Sequence, residues 1–286
     1  MKCWLVTTDH LTDRIWFKDE EDFRAGMNLV AVLTFTLSVE MLAFTLMSNH
    51  VHFVMECSYE KARLFADGFK KRYSQYIFNK YGTRELLRRN RVDIQAIDGM
   101  DESLERAIAY VQMNGVAANI CLSPTEYPWG TGNAFFRVKA ARSYSIGTLS
   151  RRASRALLHS TVRLPSTFLV GEDGYILPES YVNVERIEKL FKTARRMQFF
   201  LQNSSKAKRK LEASDNAPSF RDQLVQAAVQ DLCRTLFRKQ KLEDLTLEEK
   251  TELLKQLRYR FSAEANQLAR ATGLSYETVA HLLDKG

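Results

Sequence analysis

Met47-Ser48-Asn49-His50-Val51-His52-Phe53-Val54-Met55 constrains the chain most. It sets two of the five histidines one residue apart inside an apolar run. Side chains alternate across a strand, so His50 and His52 share a face, about 7 Å apart along it. Val51 points to the other face, and the strand is expected to run on with Phe53 and Met55 on the histidine side. Two neutral imidazoles on one face grip a divalent metal when a third ligand arrives from elsewhere. The alternative is a pair of satisfied or surface histidines.

A third ligand can be sought downstream. Residues 101–114 predict a helix that Asp101 or Ser103 caps, with acidic residues in the first turn where the dipole favours them. Leu104, Ala107, Ile108 and Val111 recur at helical spacing and form its buried stripe. Tyr110 and Asn114 are four apart and share a face, and Gly115 is the expected stop. On spacing alone, Tyr110 as a core-edge aromatic and Asn114 as a C-cap is the better reading.

The preceding segments complete a layout. Residues 4–8 read as a strand, 20–36 as a helix, 39–47 and 50–55 as strands joined at Ser48-Asn49, 61–80 as a basic helix and 92–97 as a strand. The order β-α-β-β-α-β followed by a helix is that of a ferredoxin-like sheet. The class is α+β: an antiparallel sheet with packed helices, then a mainly α-helical C-terminal region.

Charge is unevenly placed. Residues 1–139 hold 17 Lys+Arg and 17 Asp+Glu, so the net charge of +8 belongs to the rest of the chain. Residues 61–91 nevertheless carry ten basic residues against Asp67 and Glu85, interleaved with Phe69, Tyr73, Tyr76, Phe78 and Tyr81. Cations for phosphates and rings for unstacked bases suit single-stranded nucleic acid. Lys70, Lys71, Arg72, Tyr73, Arg88 and Arg89 are the candidate contacts there; a solvated basic face over an aromatic core stripe is the competing reading. From Leu29 to Met55 the only formal charge is Glu40, but the polar residues at 48–52 and the change of period near Ser38 argue against a membrane span. Cys3, Cys57, Cys121 and Cys233 form no close pair, and no leader-like segment opens the chain, so a cytoplasmic, nucleoid-associated protein is expected.

The second half divides at residues 206–218, a polar, charged linker. Before it, 141–205 form a basic connecting region with Arg142, Arg151, Arg152, Arg155 and Arg163, a short hairpin over 168–176 and an amphipathic helix over 184–202. After it, residues 219–286 form a helical domain, with helices expected over 220–237 and 247–259. Residues 263–283 resemble a helix-turn-helix: Ala269 is small where helices touch, Gly273 permits the turn, Leu274 plugs the core, and Ser275 caps a helix whose Val279 and Leu282 face inward. Tyr276, Thr278 and His281 would then meet a major groove. A plain helical hairpin is the alternative.

Several ordered pieces carry a family resemblance. Met47 to His52 and, some sixty residues on, Tyr110-Val111-Gln112-Met113-Asn114-Gly115-Val116 resemble the single-tyrosine HUH transposases, which include the small single-strand insertion-sequence and REP-associated tyrosine transposases. Arg14 to Phe23 resembles the opening strand-to-helix passage, Lys70 to Gly82 the basic, tyrosine-rich helix, and Glu126-Tyr127-Pro128-Trp129 the closing turn. The match covers about residues 1–135, within a domain placed at 1–140. The resemblance implies Tyr110 as nucleophile and His50, His52 and Asn114 as metal ligands. It implies strand cleavage and rejoining on single-stranded or hairpin DNA through a 5′-phosphotyrosine, with Mg2+ or Mn2+ as cofactor, in a monomer or homodimer. Ser48 and Gly115 stand where the family commonly has proline, and residues 83–89 replace a family segment after the basic helix.

Two rival classes remain. One is a non-catalytic DNA-binding regulator, a domesticated transposase working through the C-terminal helices, which would meet duplex DNA. The other is an RNA-binding module on the same sheet, which lacks the exposed strand aromatics it would need.

Overall fold

A computed structural model describes residues 2–9, 15–83, 87, 90–98, 102–137, 142–204, 222–261 and 263–284. Its centre is a four-stranded sheet in the order β2-β3-β1-β4, with every neighbouring pair antiparallel. The strands are β1 (Lys2–Thr8), β2 (Glu40–Met47), β3 (His50–Cys57) and β4 (Val92–Ile97), with helix α1 (Glu20–Leu37) between β1 and β2 and α2 (Tyr59–Tyr81) between β3 and β4. The class is α+β, as expected.

Local chemistry explains the boundaries. Asp19 caps α1 by accepting from the Asp22 N–H at 2.9 Å, and three acidic residues fill its first turn. Ser58 caps α2, and Gly82 at φ +69° ends it, its N–H donating to the Phe78 carbonyl. The inward stripe of α2 is Ala62, Phe65, Ala66, Phe69, Tyr73 and Ile77.

Strand alternation divides the sheet into two chemically different faces. Val6, Phe53 and Phe44 form a paired rung on the face toward α2, where Phe53 packs edge-on against Phe65 and Phe69. The next rung, Thr7, His52 and Thr45, lies on the opposite face. Phe53 therefore does not share the histidine side. A two-residue period requires this, because 50, 52 and 54 are the positions in phase.

Helix α3 (Ser103–Gln112) crosses the threonine–histidine face, and a further turn, α4 (Asn114–Ala117), continues it past a break at Met113. Asp101 lies outside the described residues, and Ser103 is inside the helix rather than its cap. Gly115 does not stop the helix. It admits Tyr127, because a Cβ there would lie 3.0 Å from that ring. Residues 127–131 run along the free edge of β2: the Leu46 N–H donates to the Trp129 carbonyl, the Thr131 N–H to the Phe44 carbonyl, and the Tyr127 hydroxyl to the Leu46 carbonyl.

The connecting region shares this core. Tyr175, Leu177, Val182, Ile187, Phe191 and Phe200 are buried in it, and a smaller cluster joins Ala31 and Val32 of α1 to Ile146, Leu158, Phe168 and Val170. The expected hairpin is only partly as read: β6 (Leu169–Gly171) pairs with β5 (Ser143–Ser145), and Ile176 meets Val170 in a single bridge. Helix α5 (Arg151–Leu158) lies between those strands in sequence. The expected helix over 184–202 is two helices, α6 (Val184–Phe191) and α7 (Ala194–Gln202). Lys192 takes φ 63° between them, and Thr193 caps α7 by accepting from the Arg196 N–H.

Residues 206–218 lie outside the described residues. Beyond them a second core unites α8 (Asp222–Thr235), α9 (Leu247–Phe261), α10 (Ala265–Thr272) and α11 (Tyr276–Asp284) around Val225, Leu253, Leu257, Leu268 and Val279. Thr246 and Glu249 cap α9 reciprocally. Gly273, at φ +74°, turns the chain between α10 and α11, and Ser275 Oγ accepts from the Thr278 N–H. No described helix is long and apolar enough to cross a membrane.

Gly130 sets how closely the closing segment approaches β2. A Cβ there would lie 2.6 Å from the Phe44 carbonyl oxygen and 3.1 Å from the Thr45 Cα, so backbone must move. Gly130→Ala is expected to destabilise the protein by about 1–3 kcal/mol, read as a lowered urea midpoint at unchanged slope.

Candidate active site

Three of the four residues expected to act together form one aromatic group. The rings of His50 and His52 lie 4.8 Å apart at 88°, and the His52 and Tyr110 rings 5.6 Å apart at 84°. His50 is 4% exposed and His52 fully buried, whereas Tyr110 is half-buried. The imidazoles thus lie beneath the surface with the phenol at its edge.

Both rings are oriented through Nδ1. His50 Nδ1 donates to the Asn49 Oδ1 at 2.9 Å, and His52 Nδ1 pairs with the Thr7 hydroxyl at 3.0 Å. A proton on His50 Nδ1 makes Nε2 the basic nitrogen, the usual arrangement of a metal-ligating histidine. Thr7 lies opposite His52 on β1, and the Thr8 hydroxyl accepts from the Val51 N–H, so β1 holds the histidine strand through two adjacent residues.

Helix α3 is pinned to the same rung. Thr45, opposite His52 on β2, donates from Oγ1 to the Val111 carbonyl at 2.9 Å. Asn114 donates from Nδ2 to the Tyr110 and Val111 carbonyls, each at 3.0 Å. With its amide nitrogen donating to its own helix, Asn114 has Oδ1 as its candidate ligating atom. The far end of α3 is tied by Arg196 of α7, which bonds Glu102 at 2.9 Å and Glu105 at 3.3 Å.

Two imidazole nitrogens and an amide oxygen suit a divalent cation whose remaining positions stay open. Among the described residues no group of three or more His, Cys, Asp or Glu side chains is arranged to hold a metal. The candidate set at this site contains no carboxylate or thiolate.

The expected nucleic-acid contacts fare unevenly. Tyr73 is fully buried and donates its hydroxyl to the Trp16 carbonyl at 2.5 Å; burial pushes its pKa well up. It belongs to the aromatic core with Trp16, Phe17 and Phe69, and its assignment as a DNA contact is corrected. Lys70 turns inward to the Asn90 carbonyl, and burial lowers its pKa. Lys71 and Arg72 are exposed. Arg88 and Arg89 lie outside the described residues. Tyr76 and Tyr81 donate to Asp22, with Lys80 bonded to Asp19, Glu21 and Asp22, so these rings are committed to the junction of α1 and α2. Tyr276, Thr278 and His281 are exposed on α11. Thr7, Thr45 and Asn49, which orient the site, escaped the sequence reading; the alternation that pairs Thr7 and Thr45 with His52 emerges only once the register is known.

No protein-family model matches the chain, and no curated protein does. A solved structure of a REP-associated tyrosine transposase bound to a REP hairpin is similar over 46% of this chain and 78% of its own, at 13% identity and a TM-score of 0.36. A likeness at that level carries no functional argument.

The exposed and inward charges of α2 are separable. Lys71→Ala with Arg72→Ala is expected to flatten the slope of log affinity for single-stranded DNA against log salt by about 0.7 per lost contact. Lys70→Ala should leave that slope unchanged, and so should Tyr73→Phe. Fluorescence anisotropy across a salt series measures all three.

Proposed function

We propose that the protein is a metal-dependent tyrosine DNA transesterase that cleaves and rejoins single-stranded or hairpin DNA. The observation that carries this reading is the ring group of His50, His52 and Tyr110, with Asn114 one helical turn beyond the tyrosine. A nucleophile held at the edge of a buried, oriented histidine pair is an arrangement that can support phosphoryl transfer to a side chain. The resemblance of residues 1–135 to the single-tyrosine HUH transposases supports the same roles.

In this reading Tyr110 Oη attacks a backbone phosphorus. The new bond is phosphorus to the tyrosine oxygen, and the bond broken is phosphorus to the 3′ oxygen, which leaves as the 3′-OH with a proton in place of the one the phenol gives up. Attack by that hydroxyl on the phosphotyrosine reverses the step and reseals the strand, so the phosphoester energy is conserved. His50, His52 and Asn114 would hold the ion, Mg2+ or Mn2+, which supplies polarisation of a nonbridging phosphate oxygen. One tyrosine acts on one strand. Tyr276, Thr278 and His281 on α11 supply a second, duplex contact.

Tyr110→Phe removes the nucleophilic oxygen and little packing. It should abolish covalent protein–DNA adducts on denaturing gels while changing single-strand affinity less than about twofold. His50→Ala with His52→Ala should also lose adducts, with Tyr110 intact. An adduct surviving in the phenylalanine variant would assign the nucleophile elsewhere; no adduct from the wild-type chain would leave the regulator reading, in which the C-terminal helices alone act. Replacing Tyr276, Thr278 and His281 together by Ala should equalise affinity for target and scrambled duplex flanks, by competition binding, without lowering adduct yield on single strands.

A further inference from the structure

The C-terminal helices reach the histidine turn through one buried carboxylate. Asp222, the first residue of α8, is 4% exposed. It accepts from Arg270 of α10 at both oxygens, Nε to Oδ2 at 2.9 Å and Nη2 to Oδ1 at 3.1 Å. It also accepts the Ser48 hydroxyl at 2.5 Å. Its neighbour Gln223 donates to the Phe17 carbonyl at 2.6 Å.

Ser48 is therefore held from two sides. Its carbonyl accepts the N–H groups of Trp16 at 2.7 Å and Phe17 at 3.2 Å, and its hydroxyl is held by Asp222. Asn49 and His50 follow at once, and Asn49 Oδ1 orients the His50 ring. Ser48-Asn49 is the whole loop between β2 and β3, because Met47 pairs with His50. Two-residue hairpin loops ordinarily match strand twist through positive φ, and neither residue has it. The turn that places His50 thus depends on bonds from outside the hairpin.

We propose that Asp222, oriented by Arg270, is a positioning residue for His50 through Ser48, so that the C-terminal helical unit contributes to the rate of strand transfer as well as to DNA recognition. This deepens the transesterase reading and rests on it. Arg270 lies on the helix that leads through Gly273 into α11, so the same rigid pair of helices carries the bridge and the exposed Tyr276, Thr278 and His281.

The test uses the full chain with a labelled hairpin oligonucleotide and Mn2+. Ser48→Ala breaks the bridge without stranding a charge, because Asp222 keeps Arg270. Ser48→Thr retains the hydroxyl. Under single-turnover conditions Ser48→Ala should slow adduct formation about tenfold, with half-saturation by DNA shifted less than twofold. Ser48→Thr should restore the rate. Asp222→Ala should slow it at least as much, and the double variant should be no slower than Asp222→Ala alone. Amide hydrogen exchange on residues 46–52, measured without DNA, should quicken in Ser48→Ala and Asp222→Ala and stay slow in Ser48→Thr. Unchanged exchange in both alanine variants would overturn the proposal whatever the chemistry. Faster exchange with wild-type adduct rates would also overturn it, reducing the bridge to an inter-unit tether. Faster exchange in a protein whose wild-type chain forms no adduct would sink the transesterase reading, and the catalytic role of the bridge with it.

Discussion

The bond from Thr45 Oγ1 to the Val111 carbonyl is the contact on which the site's geometry depends. It joins the strand beside His52 to the turn of α3 that carries Tyr110. The same carbonyl receives Asn114 Nδ2, so sheet, the turn bearing Tyr110 and the amide ligand candidate meet at one oxygen. Both donors satisfy a carbonyl near the end of α3, where the intrahelical ladder runs out. An apolar residue at 45 would remove this directional bond from the sheet to the turn of α3, since apolar packing has no direction of its own.

That contact sits in a polar rung at the centre of the sheet. Thr7, His52 and Thr45 form one rung, flanked by the apolar rung Val6, Phe53 and Phe44 on the other face. Burying two imidazoles is costly unless their nitrogens are engaged, and Thr7 and Asn49 supply those partners. The apolar face binds α2 through Phe53, Phe65 and Phe69. One face carries the aromatic core and the other the candidate site, so a rigid core supports a group of side chains held largely by hydrogen bonds.

Much of this was legible in the sequence. His50 and His52 at a period of two, and Tyr110 and Asn114 at a period of four, reveal shared faces without any structure. What remained hidden depended on long-range register. Tyr73 sits in a basic, aromatic helix whose composition suits nucleic acid, yet its position in the stripe Phe65, Phe69, Tyr73, Ile77 buries it, and burial overrides composition. Lys70 turned inward for a backbone carbonyl that no local pattern reveals. The break at 192–193 follows from a cap at Thr193, a short-range signal that the amphipathic periodicity on both sides masks. Asp222 sits 174 residues from Ser48, a pairing that no local pattern reveals.

Ser48 has a physical role that a proline at the same turn could not fill. A proline there would preset φ but offer neither hydroxyl nor N–H. Serine gives up that stiffness and gains a donor, and the donor is used on Asp222. The candidate ligand set holds no carboxylate or thiolate. Two imidazoles and an amide would bring no charge to offset a divalent ion, so in the proposed reaction the hard, anionic oxygens of a bound phosphate would contribute a large share of its binding. Metal and strand would then stabilise each other's binding, and the protein's own task is to keep the three donors and the phenol in place before either arrives. A turn braced from outside the hairpin and a helix pinned through Thr45 meet that requirement from opposite ends of the site.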